Sequence, residues 1–231
     1  MMIKTVIFDI DNTLYSYDKN HVYGMEALAA YCETAFGITA KEMKNCYSRA
    51  GRIMTDRIGT DTAAIHSRMI RMQCMLELLE QPLFPHARNM YHAYWDTFIE
   101  HIEPNPGVLK FMQELKKRKI RIGIGTDMTA YIQYRKLEAI GAAPYIDFIV
   151  TSEEAGIEKP HAHFFDICVE KAGVCAEECA FIGDNVKKDI EGAWESGLKG
   201  IWYTQEKEPE EQRSFPTLRS FTEIDVDEFL K

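Results

Sequence analysis

The chain has 231 residues, room for one large domain or two unequal ones, and its 46% hydrophobic and 27% charged residues exclude a disordered or fibrous protein. Asp and Glu (36) outnumber Lys and Arg (27), a net charge of −9, so nucleic-acid polymers and anionic membranes are disfavoured as partners. No run approaches the ~18 apolar residues of a membrane span, and the opening Met1–Phe8 meets Asp9 too early for a signal peptide. The six cysteines form no CxxC pair and read as reduced thiols of a cytoplasmic protein.

In chain order, residues 3–8 form the first β-rich run. Residues 15–104 then show no clear strand, and helical stretches are expected near 24–36, 40–58, 62–80 and 87–101, with Gly37, Gly59, Pro82 and Pro85 as punctuation. This interval reads as an all-helical insert, entered through residues 15–20 and left through 103–107, between two parts of one core domain, 1–14 and 105–231. Further β-rich runs follow at 120–125, 146–150, 179–182 and 200–203. Between them lie helical spacings: Val108, Phe111, Met112 and Leu115; Phe164, Ile167 and Cys168; Ile190, Ala193 and Trp194. Strand and helix in alternation predict an α/β fold, a Rossmann-like, doubly wound parallel sheet. Residues 204–216 read as a polar surface loop, and 218–230 as a short closing strand and helix.

In such a sheet, ligands bind outside the carboxyl ends of the strands. Those ends carry Asp9-Ile10-Asp11-Asn12-Thr13, then Thr126-Asp127, then Lys159-Pro160 before a helix, then Gly183-Asp184-Asn185 with Asp189 beyond. Singly, most of these are ordinary turn or helix-cap residues. Lys159 is the exception, because a cation at a helix N-terminus opposes the dipole. Together they gather several carboxylates on one edge of the sheet, an arrangement that calls for a cation, and a hard divalent ion such as Mg²⁺ takes oxygen ligands. Two rival motifs fail. Leu14 stands where an EF-hand needs Gly, and Met128 where a dinucleotide loop beginning at Gly123 needs its third Gly.

The ordered set Asp9-x-Asp11-x-Thr13, Thr126, Lys159 and Gly183-Asp184-x4-Asp189 resembles the four motifs of the haloacid dehalogenase-like (HAD) hydrolase superfamily, phosphatase branch. The helical insert is similar to its C1-type cap. The resemblance implies a strand order of 5-4-1-2-3 and a catalytic set in which Asp9 attacks phosphorus and Asp11 serves as acid and then base. Thr126, with Asp127 beside it, and Lys159 would hold the phosphate oxygens. Mg²⁺ would bind the side chains of Asp9 and Asp184 and the backbone carbonyl of Asp11, with Thr13, Asn185 and Asp189 in support. Asp189 is expected to orient Lys159 or a metal-bound water. Asp127 departs from the family's frequent Asn, and a carboxylate facing phosphate is unfavourable, so it is expected to cap the following helix. Family dehalogenases lack the second acid, so Asp11 favours phosphoester hydrolysis.

The implied activity is Mg²⁺-dependent hydrolysis of small phosphorylated metabolites, nucleotide or sugar phosphate. Phosphoryl transfer as in a mutase, a non-catalytic binding protein and a dehalogenase are the alternatives, and monomer and homodimer both stay open. In the insert, Arg49, Arg52, Arg57, Arg68, Arg71, Tyr23 and His66 are candidate substrate contacts, with Tyr15 and His21 favoured for their closeness to the first motif. Met69, Met72, Met75, Leu76 and Leu79 read as core.

Overall fold

The structure is a computed structural model that describes residues 2–205 and 215–231. The chain divides into two compact units, Met1–Ser16 with Glu103–Lys231, and Tyr17–Ile102.

The first unit is built on six parallel strands, β1 (Thr5–Phe8), β2 (Arg121–Thr126), β3 (Phe148–Thr151), β4 (Cys179–Gly183), β5 (Lys199–Tyr203) and β6 (Thr217–Leu218), in the order β3-β2-β1-β4-β5-β6. This is the expected 5-4-1-2-3 order with a sixth, two-residue strand added beside β5. β1 sits between β2 and β4, with Phe8 in register with Ile124 and Ile182. All four β1 residues are buried, as covering on both faces requires. On one face, Phe8 meets Phe111 of α5 (Val108–Lys117) edge-on at 6.1 Å, and Phe111 meets Phe229 at 5.3 Å. On the other, Phe181 packs on Phe165 at 5.4 Å beside Ile7, Phe164 and Cys168.

Gly123 and Gly125 have packing roles. A side chain on Gly123 would meet the Phe148 ring at 2.3 Å, and one on Gly125 the Phe181 ring at 2.7 Å. Nine residues of the expected 204–216 loop, 206–214, lie outside the described residues. Trp194 does not join Ile190 and Ala193 in the core. The backbone runs through a π-helical stretch, Val186–Glu191, before a single α-turn, and this rotation leaves Trp194 half-exposed against Phe215.

The second unit is all-helical, with α1 (Tyr17–Phe36), α2 (Ala40–Ile58), α3 (Arg68–Leu78) and α4 (His86–Glu100). α1 begins at Tyr17 rather than near Gly24, so the outgoing connection is shorter than 15–20. Its first inward positions are Asn20 and Gly24, which carry no apolar signal, followed by Leu28 and Cys32. α2 opens with a capping box, Thr39 Oγ1 accepting from Glu42 N at 3.3 Å while Glu42 Oε2 accepts from Thr39 N at 2.8 Å. The helix expected over 62–80 is two pieces. A 3-10 turn, Ala63–His66, ends at Ser67, whose extended backbone starts α3 and whose hydroxyl accepts from Ile70 N. Met72, Met75 and Leu76 are buried as expected, whereas Met69 points outward at 37% exposure.

Candidate active site

Register brings the strand ends together. Asp9 follows β1 directly, its N–H donating to Ile182 O at 2.8 Å, while Thr126 ends β2 and Asp184 follows β4. Lys159 enters from the segment after β3 and α7 (Ser152–Ala155). Its ammonium donates to Asp9 Oδ1 at 2.7 Å, Asp189 Oδ1 at 2.6 Å and Gly125 O at 3.2 Å. All three side chains are at least nine-tenths buried. Burial alone would lower the Lys159 pKa, but Asp189 and Asp9 outweigh it and hold the ammonium well above its ordinary value.

The carboxylates respond in the opposite sense. Burial raises the pKa of Asp9 well above the usual range, partly countered by Lys159. Burial, then the neighbouring Asp189, pushes Asp184 up to about 7. Carboxylate oxygens of Asp9, Asp184 and Asp189 lie within 4.8 Å of one another. An all-oxygen donor set with more negative charge than Lys159 can offset fits a hard divalent cation. Asp189 stands in this trio and also accepts from Lys159. Its Oδ2 also accepts from Asn185 N at 3.0 Å. That approach requires Gly183, where a Cβ would sit 2.3 Å from Asp189 Oδ2.

Thr13 Oγ1 lies 3.5 Å from Asp9 Oδ2, and Asn185 Oδ1 accepts from Lys188 N at 2.9 Å as a helix cap. Thr126 is buried, its hydroxyl oxygen accepting from Gln133 Nε2 at 2.6 Å. Asp127 caps no helix, because α6 (Ala130–Ala139) begins three residues later. Its Oδ1 accepts from Lys159 N at 3.0 Å and its Oδ2 from Lys188 Nζ at 2.9 Å. Lys188 also reaches Glu158 Oε2 at 2.9 Å, so Asp127 ties together the loops after β2, β3 and β4.

Asp11 is separate from the buried trio. Its carboxylate accepts from the Tyr15 hydroxyl and, through both oxygens, from Lys136 Nζ at 2.7 and 2.9 Å. Tyr15 is therefore a buried partner of Asp11 rather than an open substrate contact. The sequence reading missed Lys136, Gln133 and Lys188. A signal for the first two lies in the α6 pattern: Ile132 and Leu137 mark an inward face on which Gln133 and Lys136 also fall.

In the helical unit, Arg68 is the most deeply placed candidate. Its guanidinium donates to Tyr17 Oη at 2.5 Å and His66 O at 3.3 Å, with the Tyr94 ring centre 5.4 Å away. Arg71 lies 4.6 Å from the Tyr47 ring centre. His21 Nδ1 is 2.6 Å from Tyr94 Oη, and burial followed by the Arg68 charge lowers its pKa to about 4. Arg57 instead makes a surface pair with Glu77 at 3.0 Å, and Tyr23 stacks on His101 at 4.3 Å.

The chain is similar to known proteins over most of its length. The chain is 32% identical over 215 residues to a ribulose-1,5-bisphosphate 5-phosphatase of Halopiger xanaduensis, covering 92% of this chain and 90% of that protein. It is 28% identical over 230 residues to a glyceraldehyde 3-phosphate phosphatase of Methanocaldococcus jannaschii, covering 96% and 97%. Among solved structures, a HAD phosphatase from Thermococcus onnurineus superposes with a TM-score of 0.77 at 19% identity, over 99% of each chain. No helix among the described residues is long and apolar enough to cross a membrane. With the profile of the haloacid dehalogenase-like hydrolases matching residues 3–197, the chain belongs to that family of enzymes.

Proposed function

We propose that this enzyme is a divalent-metal-dependent phosphatase of small phosphate monoesters, acting through an aspartyl-phosphate on Asp9. The observation that carries the reading is the buried Asp9–Lys159–Asp189 chain, which sets an ammonium 2.7 Å from the Asp9 carboxylate. An oxygen of Asp9 attacks phosphorus as the ester oxygen leaves, and Asp11 gives that oxygen a proton. Water then attacks the phosphorus of the acyl phosphate, Asp11 takes its proton, and Asp9 and inorganic phosphate are released. Lys159 and the Thr126 hydroxyl stabilise charge on the non-bridging oxygens, and Asp189 holds Lys159 in place. Thr126 Oγ1 accepts from Gln133 and gives its own hydrogen to Asp127 O over a long 3.4 Å contact, which a phosphate oxygen would replace. Asp9, Asp184 and the Asp11 carbonyl would hold the cation, with Asp189 beside them; bound there, Mg²⁺ supplies positive charge to the phosphoryl oxygens.

Phosphorylated sugars are the class to screen first, since the two relatives above are named for phosphorylated carbohydrates, and nucleotides come second. The test is release of para-nitrophenol from its phosphate ester, with and without Mg²⁺, by the native enzyme and Asp9→Asn. Metal-dependent turnover that falls at least about 1,000-fold in the variant is expected. Turnover that survives the substitution in a pure preparation would sink the aspartyl-phosphate mechanism.

A further inference from the structure

Helix α6 buries four residues, two that a core needs (Ile132, Leu137) and two that it does not (Gln133, Lys136). Lys136 is fully buried, although Lys is among the residues least often buried. Its ammonium grips both oxygens of Asp11, with the Met128 sulfur 3.5 Å away and the Tyr15 ring centre at 5.8 Å. Packing gives no reason for a charge here, because an apolar side chain of similar length fills the volume without desolvating an ammonium. Nor does Asp11 need a lysine for solvation, since its side chain is 27% exposed and open to water.

What the pair does achieve is direction. A lysine on a helix holds two carboxylate oxygens at once, and the Tyr15 hydroxyl fixes one of them from the loop that follows β1. The carboxylate cannot turn about its side-chain bonds without losing these contacts. Oδ1 accepts from both Tyr15 and Lys136, whereas Oδ2 accepts from Lys136 and keeps a further lone pair, so the grip leaves a place for a proton on Oδ2.

We propose that Lys136 is a positioning residue for the proton transfers of Asp11, holding its carboxyl group in the one orientation from which a leaving oxygen or a water can be served. The inference rests on the acid–base reading of Asp11 given above. General acid–base catalysis contributes about 100- to 10,000-fold, and a misplacement of about 1 Å costs about 100-fold. Losing the grip should therefore be felt where proton transfer matters most.

The experiment compares two esters, para-nitrophenyl phosphate, whose leaving group departs without a proton, and glycerol 3-phosphate, whose alkoxide needs one. Lys136→Met is expected to lose about 100-fold in kcat on the alkyl ester and about fivefold on the aryl ester, with KM changed less than about threefold. Asp11→Asn should show the same bias, more strongly, and the double variant should be no slower than Asp11→Asn alone. Folding is checked by circular dichroism and thermal melting, and Lys136→Gln serves as the second variant. Equal losses on both esters, or none, in a folded Lys136 variant overturn the proposal while leaving Asp11 as the acid. Failure of both variants to fold overturns it too, assigning Lys136 to stability alone. If Asp11→Asn itself shows no bias, the acid–base reading falls and this inference with it.

Discussion

The two units bury cations in opposite ways. In the α/β unit, Lys159 is held by two buried carboxylates and Lys136 by the partly exposed carboxylate of Asp11, so each charge is met by a formal opposite charge. In the helical unit, Arg68 lies among the phenol of Tyr17, the His66 carbonyl and the rings of Tyr47, Tyr94 and Trp95. The first arrangement fixes positions to within a hydrogen bond and leaves excess negative charge for a metal. The second solvates a guanidinium by dipoles and π-faces, with much weaker directional demands. The difference teaches which buried charge the fold depends on and which it only tolerates.

Lys159→Met gives the largest expected effect. It removes one cation from between two carboxylates that cannot reach water, and breaking a buried pair in this way costs about 3–5 kcal/mol. Urea melts of the metal-free protein should show that loss, and kcat should fall at least about 1,000-fold. A variant that is inactive yet as stable as the native chain would show that Asp9 and Asp189 do not rely on the ammonium for folding. The contrast with Arg68 would then disappear.

Next comes the pH dependence of the metal-free protein. Burial, then Asp189, raises folded Asp184 to about 7, and burial raises Asp9 in the same direction. A carboxyl group whose pKa is higher folded than unfolded binds more protons in the native state between those values. Its stability contribution is complete below the unfolded value near 4 and is lost as pH rises through about 7. The lowered carboxylates, such as Asp147 beside Lys116, have the opposite sign, but their window lies below about pH 4. His21, lowered to about 4, also has the opposite sign and offsets part of the fall up to its unfolded value near 6.5, so the slope is read in a His21→Asn background. In EDTA, Tm should therefore fall by about 5 °C between pH 5 and 7, at about 2–4 °C per kcal/mol for a chain of this size. Saturating Mg²⁺ should flatten the slope by binding the ionised form, and Asp184→Asn should reduce it without metal. A Tm that rises across this window in EDTA would contradict the raised values.

The contrast also explains what could be read from sequence. Asp9, Thr126, Lys159 and Asp184 were legible because apolar runs mark the strand ends, and in a parallel sheet those ends share one edge. Lys136 was harder to read, because its partner Asp11 is 125 positions away in the chain and its local signal is no more than a place on the inward face of α6 beside Ile132 and Leu137. Asp127 was misread because the helix it was expected to cap starts later, at Ala130, freeing its carboxylate for Lys188. The start of α1 was missed because its first inward residues, Asn20 and Gly24, carry no apolar signal, Gly24 lying where a Cβ would meet the Tyr94 ring at 2.8 Å. In the helical unit the chemistry-bearing residues are spread over helix faces, where each looks like ordinary surface or packing until the helices meet.

Arg68→Met gives the smallest effect and the sharpest test of the comparison. Arg68 is 8% exposed, and its Nε has no hydrogen-bond partner among the described residues. Removing it leaves behind a phenol, a carbonyl and three aromatic faces, none of them charged. The desolvation of a guanidinium is relieved and a methionine can fill the space against the same rings, so stability should stay within about 1 kcal/mol of the native chain. Urea melts of this variant and Lys159→Met, run side by side, make the measurement. A loss of 3 kcal/mol or more at Arg68 would mean that ring faces and phenols compensate a buried charge as fully as carboxylates do. A small loss combined with a specific rise in KM for the native substrate would separate the two units by task, stability residing in the ion pairs of one and recognition in the arginine of the other.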